Sequence, residues 1–417
     1  MKEKNTVLII GGGAAGMIAA IAARRNGADV TILERNSRIG RKILATGNGR
    51  CNLTNVNIDV SKYHGRNPKF IYGAISRFNY DMTIDFFESL GIAPKVEDEG
   101  KVFPMSGQAS SVLDVLRYEI ESNEVNVVCD ANVYDVQKKK QFEATISGGK
   151  TYRGERVILC TGGKASPNLG SNGSGYALAE RLGHSAIEPF PALVQLKLNA
   201  LFLKSVMGVK FEGRADVVAN GKVLRSESGE ILFTEYGISG PPILQLSRTA
   251  GEHVLNGDKV FIRLDLVEST DEEELKYYLI ERFSRCPKKT FSFALVGFIN
   301  KRLIPVVLKQ AGIGDINKPC KSISENECSK IAHILKDWEL EVTGTNLWSS
   351  AQVTAGGINV NEIESRTMES KLVPGLYFAG EIVDIDGDCG GYNLQWAWSS
   401  GYLAGESAAK SLKHDSD

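Results

Sequence analysis

The stretch Thr6–Glu34, TVLIIGGGAAGMIAAIAARRNGADVTILE, decides the fold of the N-terminal part of the chain. A short apolar run predicts a buried strand, a glycine-rich turn follows it directly, and a small-residue helix leads to a second strand. Gly11 permits the tight turn, Gly13 lets the backbone approach a pyrophosphate, and Gly16 lets helix and strand pack closely. Glu34 ends the second strand, where a carboxylate accepts hydrogen bonds from a ribose. The stretch therefore predicts a dinucleotide site with its phosphates at the helix N-terminus.

Length and composition limit the class of protein. A chain of 417 residues predicts two or three domains. The net charge of -1 gives no strong overall field that would recruit nucleic acid or anionic lipid. The first apolar run is too short for a signal peptide, and we find no uninterrupted apolar window long enough to span a bilayer. We therefore expect a cytoplasmic protein with no nucleic-acid or membrane partner.

Residue patterns also argue against several kinds of site. The seven cysteines are scattered, with no Cys-x-x-Cys, which disfavours a zinc site or a dithiol centre. The acidic run Asp384–Asp388 lacks the ligand spacing and the closing glutamate of a calcium loop, so we expect no metal. Neither G-x-S-x-G nor H-E-x-x-H occurs, and no catalytic residue is identified. His64 and His184 are isolated; each fits a surface or core position better than a position in a cleft.

The remaining patterns predict how the chain is organised. Helices are expected near 68–77, 80–90 and 109–122, and a further strand, leading into Thr161, extends a parallel sheet. Short alternating strands, with turns at Asn220-Gly221 and Ser228-Gly229, then predict an antiparallel β domain. A helical stretch with a capping pattern from Thr270 to Glu273, and further helices near 294–310 and 325–337, precede a return to strand at 338–345. The expected domains are 1–190 plus 351–417 (dinucleotide binding), 191–266 plus 338–350 (β domain) and 267–337 (helical insert).

Two further segments carry cofactor chemistry. GRKILATGNGRCNLTN at 40–55 offers cations, hydroxyls and backbone amides that suit a pyrophosphate and a ribityl chain. LYFAGEIVDIDGDCGGYNLQWAWSSG at 376–401 predicts a strand, a turn and a second helix N-terminus, which suits the anionic side of a reduced flavin. The string GSNGSG at 170–175 does not directly follow a strand, so a separate nicotinamide domain is not expected.

These segments, together with LCTGGKASPNLGSNGSGYALAERLGH, FTEYGISGPPILQLS and TAGGINV, resemble the BaiN/YhiN-like NAD(P)/FAD-dependent oxidoreductases, some of which are called the aminoacetone oxidase family. The similarity runs from Val7 to Gly405. It implies an α/β fold: a Rossmann-like FAD-binding domain of the glutathione-reductase type, with an inserted antiparallel β-barrel-like domain and a small helical insert. It also implies bound FAD, with NAD(P)H as a transient electron donor.

The resemblance carries roles onto individual positions. The glycine turn would hold the pyrophosphate, Glu34 the ribose, and the C-terminal turn the ribityl chain and ring. The expected cofactor-binding residues are Gly11, Gly13, Ala15, Gly16, Glu34, Arg35, Arg41, Lys42, Thr46, Asn48, Gly49, Arg50, Cys51, Val133, Thr161, Gly162, Gly163, Gly380, Glu381, Asp384, Gly391, Asn393 and Leu394. Candidate proton donors, by residue type and motif location only, are Tyr236, Ser239, Arg50 and Tyr392.

Four functions remain open at the level of sequence. The first is an FAD-dependent reductase that uses NAD(P)H to reduce an enone-like or other small organic substrate. The second is an amine or aminoketone oxidase that uses oxygen. The third is a flavoprotein associated with tRNA, which would need a local basic face; the only dense basic run noted is Lys138–Lys140. The fourth is a flavin-binding protein without turnover. We expect substrate to enter beside the inserted domains, where FTEYGISGPP at 233–242 would line its pocket.

Overall fold

The computed structural model describes residues 5–414, and the chain divides into two compact units. The first unit runs to Phe190 and resumes at Gln352, and the second is Pro191–Ala351. Among residues 5–414, no helix combines the length and the apolar composition that crossing a bilayer requires.

The N-terminal part of the described chain, as far as the first boundary, supplies strands β1–β12 and helices α1–α5. The strands are β1 (Thr6–Ile10), β2 (Asp29–Leu33), β3 (Thr54–Asn55), β4 (Tyr63–His64), β5 (Pro94–Val96), β6 (Lys101–Pro104), β7 (Asn126–Val128), β8 (Val133–Lys138), β9 (Phe142–Ile146), β10 (Thr151–Gly154), β11 (Arg156–Leu159) and β12 (Ala186–Ala192). The helices are α1 (Ala14–Arg25), α2 (Ile71–Ile75), α3 (Tyr80–Ser89), α4 (Ala109–Ser122) and α5 (Ser174–Arg181).

The middle and C-terminal parts supply the other elements. The middle part contains β13 (Leu196–Leu198), α6 (Leu203–Val206), β14 (Lys210–Ala219), β15 (Lys222–Phe233), β16 (Gly237–Ser239), α7 (Pro241–Leu255), β17 (Val260–Asp265), α8 (Glu272–Ser284), α9 (Phe291–Ala294), α10 (Ile304–Gln310), α11 (Glu325–Lys336) and β18 (Trp338–Thr345). The C-terminal part contains β19 (Val353–Ile358), β20 (Leu376–Phe378), β21 (Asp386–Gly387) and α12 (Tyr392–His414).

A parallel sheet of order β20-β11-β1-β2-β7 forms the centre of the first unit. Its strands pair in parallel throughout, and β1 is buried because both of its edges are paired with apolar neighbours. The antiparallel meander β10-β9-β8 lies between the crossover and β11. The predicted Rossmann-like fold of the N-terminal and C-terminal segments is confirmed.

The second unit is a closed barrel of order β13-β16-β15-β14-β17-β18 with helices inserted between its last two strands. Apolar side chains of the barrel strands and of the inserted helices form one continuous core. Trp338 begins the returning strand β18 and is almost fully buried in that core. The predicted antiparallel barrel-like insertion with a helical insert is therefore confirmed.

Several local predictions in the barrel unit were wrong. Ser228-Gly229 is not a turn: it lies inside β15, where a Cβ on Gly229 would lie 3.2 Å from the Pro242 ring, so the glycine permits close packing of a helix. Helix α7 was not predicted; it begins with Pro241-Pro242, and prolines are tolerated in a first helical turn. Asn220-Gly221 does form the predicted turn, with positive φ at both residues.

Three helix predictions also need correction. The expected helix at 294–310 is two helices, α9 and α10, separated by residues 295–303. The helix that was expected to be capped from Thr270 is capped one residue later, since the Asp271 carboxylate accepts from the Glu274 amide at 2.8 Å. The stretch 68–77 forms a 3-10 turn, Pro68–Phe70, followed by the short α2.

His184 is a buried structural residue of the first unit. Its ring nitrogens lie 3.1 Å from the Glu362 carboxylate and 2.8 Å from the Ser370 hydroxyl, and its ring packs edge-on against Phe378. Burial lowers the pKa of His184 below its ordinary value of 6.5, although the nearby Glu362 opposes the shift. The folded protein therefore holds this imidazole neutral.

This buried histidine predicts acid sensitivity. Because the unfolded chain binds the proton more tightly, the stabilisation is complete above pH 6.5 and is lost as the pH falls below that value. We expect the melting temperature to drop between pH 7 and pH 5, and His184→Gln to flatten this drop. His333→Gln, at a half-exposed imidazole, is the matched control and should keep the wild-type slope. An unchanged slope in His184→Gln would contradict the assignment.

Candidate functional site

Of the three motif glycines in the turn after β1, two face protein atoms and one faces open space. A Cβ on Gly11 would lie 2.4 Å from the Cys160 carbonyl oxygen, and Gly11 has a φ of +103°. A Cβ on Gly16 would lie 1.9 Å from the Gly11 carbonyl oxygen. A Cβ on Gly13, by contrast, would meet no atom within 4 Å. Two glycines therefore close the turn against the protein, and the third leaves space in front of the helix.

That space lies at the N-terminus of α1. Gly13 is the N-cap residue, and no side chain caps the helix there. The amide groups of a first helical turn have no partner within the helix, and the helix dipole adds a partial positive charge. A diphosphate fits this arrangement: it would occupy the open side of Gly13 and accept hydrogen bonds from the first-turn amides.

Glu34, which follows β2, holds the glycine turn in place through its side chain. The side chain is buried, and its Oε2 accepts a hydrogen bond from the Gly12 amide at 2.8 Å. Its Oε1 accepts from the backbone and side-chain nitrogens of Asn36, at 2.8 and 2.7 Å. Ionised carboxylate oxygens accept more than one hydrogen bond each, so capacity for ribose hydroxyls remains. The Ala131 amide donates to the Glu34 carbonyl at 2.8 Å, which brings the start of β8, with Val133, to the same end of the sheet.

The segment after β2 has an unusual backbone. It forms a 3-10 helix, Arg41–Gly49, with left-handed φ at Gly47, Asn48 and Gly49, followed by +61° at Cys51. Left-handed backbone at non-glycine residues costs free energy and concentrates at binding sites. The segment is the most contorted part of the predicted site.

An ion pair joins this segment to the C-terminal part of the first unit. The Lys42 ammonium lies 2.8 Å from Glu381 Oε2, and Glu381 Oε1 accepts from the Thr354 amide at 2.7 Å. The Thr354 hydroxyl oxygen in turn accepts from the amides that follow Gly163, and a Cβ on Gly163 would lie 2.2 Å from it. Lys42, Gly163 and Glu381, three predicted site residues from distant parts of the sequence, therefore lie in one network.

The C-terminal turn is closed onto the first unit by similar contacts. Asp384 accepts from the Arg66 amide at 2.9 Å, and Asn393 accepts from the Gly387 amide at 2.8 Å. Gly391 has a φ of +100°, and a Cβ there would lie 2.4 Å from the Thr54 carbonyl oxygen. The helix α12 therefore begins against β3, and only glycine fits the approach.

At the start of this turn, Gly380 packs closely against α1. Gly380 has a φ of +78°, and a Cβ there would lie 2.8 Å from the Cβ of Ala15 in the first turn of α1. Its amide donates to the Ser400 hydroxyl at 2.9 Å. The turn between β20 and α12 therefore lies directly beside the N-terminal end of α1.

Other predicted residues have protein partners of their own. The Arg50 guanidinium forms an ion pair with Glu97 at 2.6 Å and covers the Phe103 ring. Arg41 donates to the Asn36 side chain at 3.2 Å, and Arg35 reaches the Gly170 carbonyl at 3.5 Å. Four other predicted residues make contacts within their own part of the chain. The Thr46 hydroxyl donates a hydrogen bond to the Ile43 carbonyl, and Leu394 packs against the hydrophobic core at the start of α12. Thr161 and Gly162 lie shortly after the end of β11.

Cys51 and Cys160 are packing residues. Both are buried, and burial raises the pKa of the Cys51 thiol to about 12 despite a hydrogen bond with Thr46. Burial likewise raises the pKa of the Cys160 thiol. Neither thiol supplies a nucleophilic thiolate near neutral pH.

Two side chains that sequence patterns did not assign to the site lie beside these residues. The Tyr176 hydroxyl on α5 is buried and has no hydrogen-bond partner among residues 5–414; Glu381 and Asp384 add to burial in raising its pKa. His64 Nε2 lies 2.8 Å from Asp388, and β4 pairs with β21. An isolated tyrosine or histidine gives no sequence signal, because only the fold brings it to the site.

The proposed proton donors lie in both units. Arg50 and Tyr392 belong to the first unit, and the Tyr392 carbonyl accepts from the Tyr63 hydroxyl at 3.1 Å. Tyr236 and Ser239 belong to the barrel unit, where Ser239 ends β16 and Tyr236 is partly exposed.

Comparison with known proteins identifies the relatives. The family model described as "HI0933-like protein Rossmann domain" matches residues 5–407. A 3-dehydro-bile acid delta(4,6)-reductase of Clostridium scindens is 40% identical over 408 residues, covering 97% of this chain and 99% of the relative. A ribosomal RNA dihydrouridine synthase of Escherichia coli is 33% identical over 415 residues, covering 98% of this chain and 100% of the relative.

A solved structure supports the fold alone. The 3-ketosteroid delta1-dehydrogenase of Sterolibacterium denitrificans superimposes with a TM-score of 0.50 and 12% sequence identity, over 98% of this chain and 100% of that one. The Escherichia coli relative conflicts weakly with the expectation of no nucleic-acid partner. The resemblance to the BaiN/YhiN-like flavoproteins is confirmed, and the chain belongs to the HI0933-like family of Rossmann-domain proteins.

Proposed function

We propose that the protein is an FAD-dependent reductase that saturates a carbon–carbon double bond conjugated to a carbonyl group. The observation that carries the proposal is the open face of Gly13 at the uncapped N-terminus of α1, with Glu34 buried beside it. This arrangement suits the diphosphate and ribose of a dinucleotide. When bound, reduced FAD would supply the hydride from N5, and the proton that completes the saturation would come from solvent or from one of the candidate donors named above.

The chain's own residues have definable tasks in this proposal. The first-turn amides of α1 would hold the diphosphate, and Glu34 would hold the adenosine ribose. The Lys42–Glu381 ion pair fixes the strained 41–51 segment against the C-terminal turn, where Gly391 and Asn393 begin α12. The N-terminal end of α12 would favour negative charge on a reduced ring.

The names of the relatives support this class of substrate. One is a reductase of a 3-dehydro-bile acid with delta(4,6) unsaturation, in which the double bonds are conjugated to the 3-oxo group. The other is a dihydrouridine synthase, whose product is a uracil ring saturated beside its 4-carbonyl. In both products, a carbon–carbon double bond next to a carbonyl group has gained two hydrogen atoms. The identity to the bile-acid enzyme is the higher, 40% against 33%, so a small enone is the first candidate substrate.

A uracil base in ribosomal RNA is the second candidate substrate. Two relatives of that name, from Escherichia coli and Haemophilus influenzae, match at 33% and 30% identity over 98% of this chain. The proposed hydride transfer is the same for both candidates. NAD(P)H as a transiently bound donor and a cytoplasmic location complete the proposal.

Anaerobic half-reactions test the proposal directly. We expect the purified protein to release FAD on denaturation, and NADH or NADPH to bleach its flavin band under nitrogen. A 3-oxo-delta4 steroid should then restore the band, whereas the saturated 3-oxo steroid, as the matched control, should not. Failure of both nicotinamides to reduce the flavin would remove them as donors. Reoxidation by oxygen with peroxide release, but not by an enone, would favour the amine-oxidase alternative.

A further inference from the structure

The helical insert of the second unit contains a concentration of positive charge that the proposed hydride transfer does not use. Residues 285–321 include eight lysines or arginines and one acidic residue, Asp315. This segment therefore carries +7, and the rest of the chain carries -8, because the whole chain has a net charge of -1. Two of these cations are paired with glutamates outside the segment, Arg285 with Glu281 and Lys318 with Glu327, so the uncompensated positive charge lies on the other lysines and arginines of the segment.

Backbone pairing brings cations from two parts of this segment together. The Lys321 amide donates to the Pro287 carbonyl at 3.1 Å, and the Cys320 amide donates to the Lys289 carbonyl at 2.8 Å. The two short stretches thus run antiparallel, with Thr290 opposite Pro319. Lys288, Lys289 and Lys321 are all exposed, and within residues 5–414 none of the three forms an ion pair.

Exposed aromatic rings lie beside these cations. Phe293 is 58% exposed, and the Lys289 ammonium lies 5.3 Å from its ring centre. Tyr278 is 42% exposed, and the Arg282 guanidinium lies 5.9 Å from its ring. Arg282 also donates to the Ala294 carbonyl at 2.7 Å, which ties α8 to the residue after Phe293. We call the resulting surface the basic–aromatic face: Tyr278, Arg282, Lys288, Lys289, Phe293 and Lys321.

The combination of residue types selects one kind of partner. Proteins hold single-stranded nucleic acid by placing phosphates on lysine and arginine and by stacking bases on exposed aromatic rings. Exposing an aromatic ring to water costs free energy, so exposed rings beside cations suggest a binding role. A duplex would contact the cations through its phosphates, but its bases are already stacked on one another and would not stack on the rings. We propose that the basic–aromatic face binds single-stranded RNA. This inference concerns binding, and it does not rest on the proposed reduction.

Fluorescence anisotropy with the full-length holoprotein and a labelled 12-nucleotide uridine RNA tests the face. The triple variant K288E/K289E/K321E should lose at least about tenfold in affinity. The slope of log affinity against log salt should fall by about 2, near 0.7 for each phosphate that the variant no longer neutralises. Phe293→Ala should lose about fivefold or more while keeping the wild-type salt slope, because stacking releases no counterions. Flavin content and melting temperature should stay at wild-type values in both variants.

The matched control reverses the other dense basic run, as K138E/K139E/K140E in the first unit, and should keep the wild-type RNA affinity. Equal losses in both triple variants would overturn the assignment, since the effect would then be one of total charge. Equal affinity for a duplex of the same length, with Phe293→Ala unaffected, would show a generic polyanion surface instead. Binding to vesicles of phosphatidylcholine and phosphatidylserine without RNA binding would also overturn the proposal.

Discussion

Gly13→Ala is expected to leave the protein folded and to weaken FAD binding by about tenfold or more, about 1.4 kcal/mol. Gly13 has a φ of -82°, which alanine adopts readily, and the added methyl group would meet no protein atom within 4 Å. The methyl group instead occupies the space through which a diphosphate would approach the α1 amides. Fluorescence titration of the apoprotein with FAD measures the affinity, and thermal unfolding of the apoprotein measures the fold.

Gly16→Ala is the matched comparison from the same turn. Here the methyl group would lie 1.9 Å from the Gly11 carbonyl oxygen, so the helix must move away from the turn. We expect the apoprotein itself to lose about 2 kcal/mol or more of unfolding free energy, as overpacked sites do. Wild-type FAD affinity in Gly13→Ala would show that no phosphate approaches that face, and the proposed cofactor site would then be wrong.

Gly405→Val should destabilise the first unit by about 3 kcal/mol or more. A Cβ on Gly405 would lie 2.1 Å from the Ala19 carbonyl oxygen, and one on Gly401 would lie 2.4 Å from the Ala15 carbonyl oxygen. These glycines let α12 lie directly on the backbone of α1. The added side chain would separate the two helices and move α12 away from the proposed cofactor site.

Denaturant unfolding followed by far-ultraviolet circular dichroism measures this destabilisation. Ser407→Val is the matched control: it puts the same β-branched residue into the same helix, at a half-exposed position. We expect the control to change the unfolding free energy by less than about 1 kcal/mol, since β-branched residues lower helix propensity only modestly. Similar destabilisation in both variants would mean that helix propensity, rather than the packing of α12 on α1, accounts for the effect.

Strands and helices were predicted correctly where the local sequence allows only one backbone conformation. TVLII followed by a glycine turn can form β1 and α1 only in the observed way, because Gly11 must adopt a positive φ and Gly16 must lie against its carbonyl. The same holds for α4, Ala109–Ser122, whose bounds were predicted correctly. The Ser228-Gly229 prediction was wrong because that backbone depends on α7 packing against β15, and no local pattern records that packing.

The candidate site shows the same division. The sequence by itself determined that a dinucleotide-type turn exists, which residues form it, and that a second glycine-rich turn precedes the last helix. Only the tertiary structure decided that Lys42 meets Glu381 and that Tyr176 lies nearby. It also decided that cations and aromatic rings of the helical insert share one face. The physical reason is range: a turn or a helix is set by neighbours within a few residues, whereas ion pairs and surfaces join residues that only the folded chain brings together.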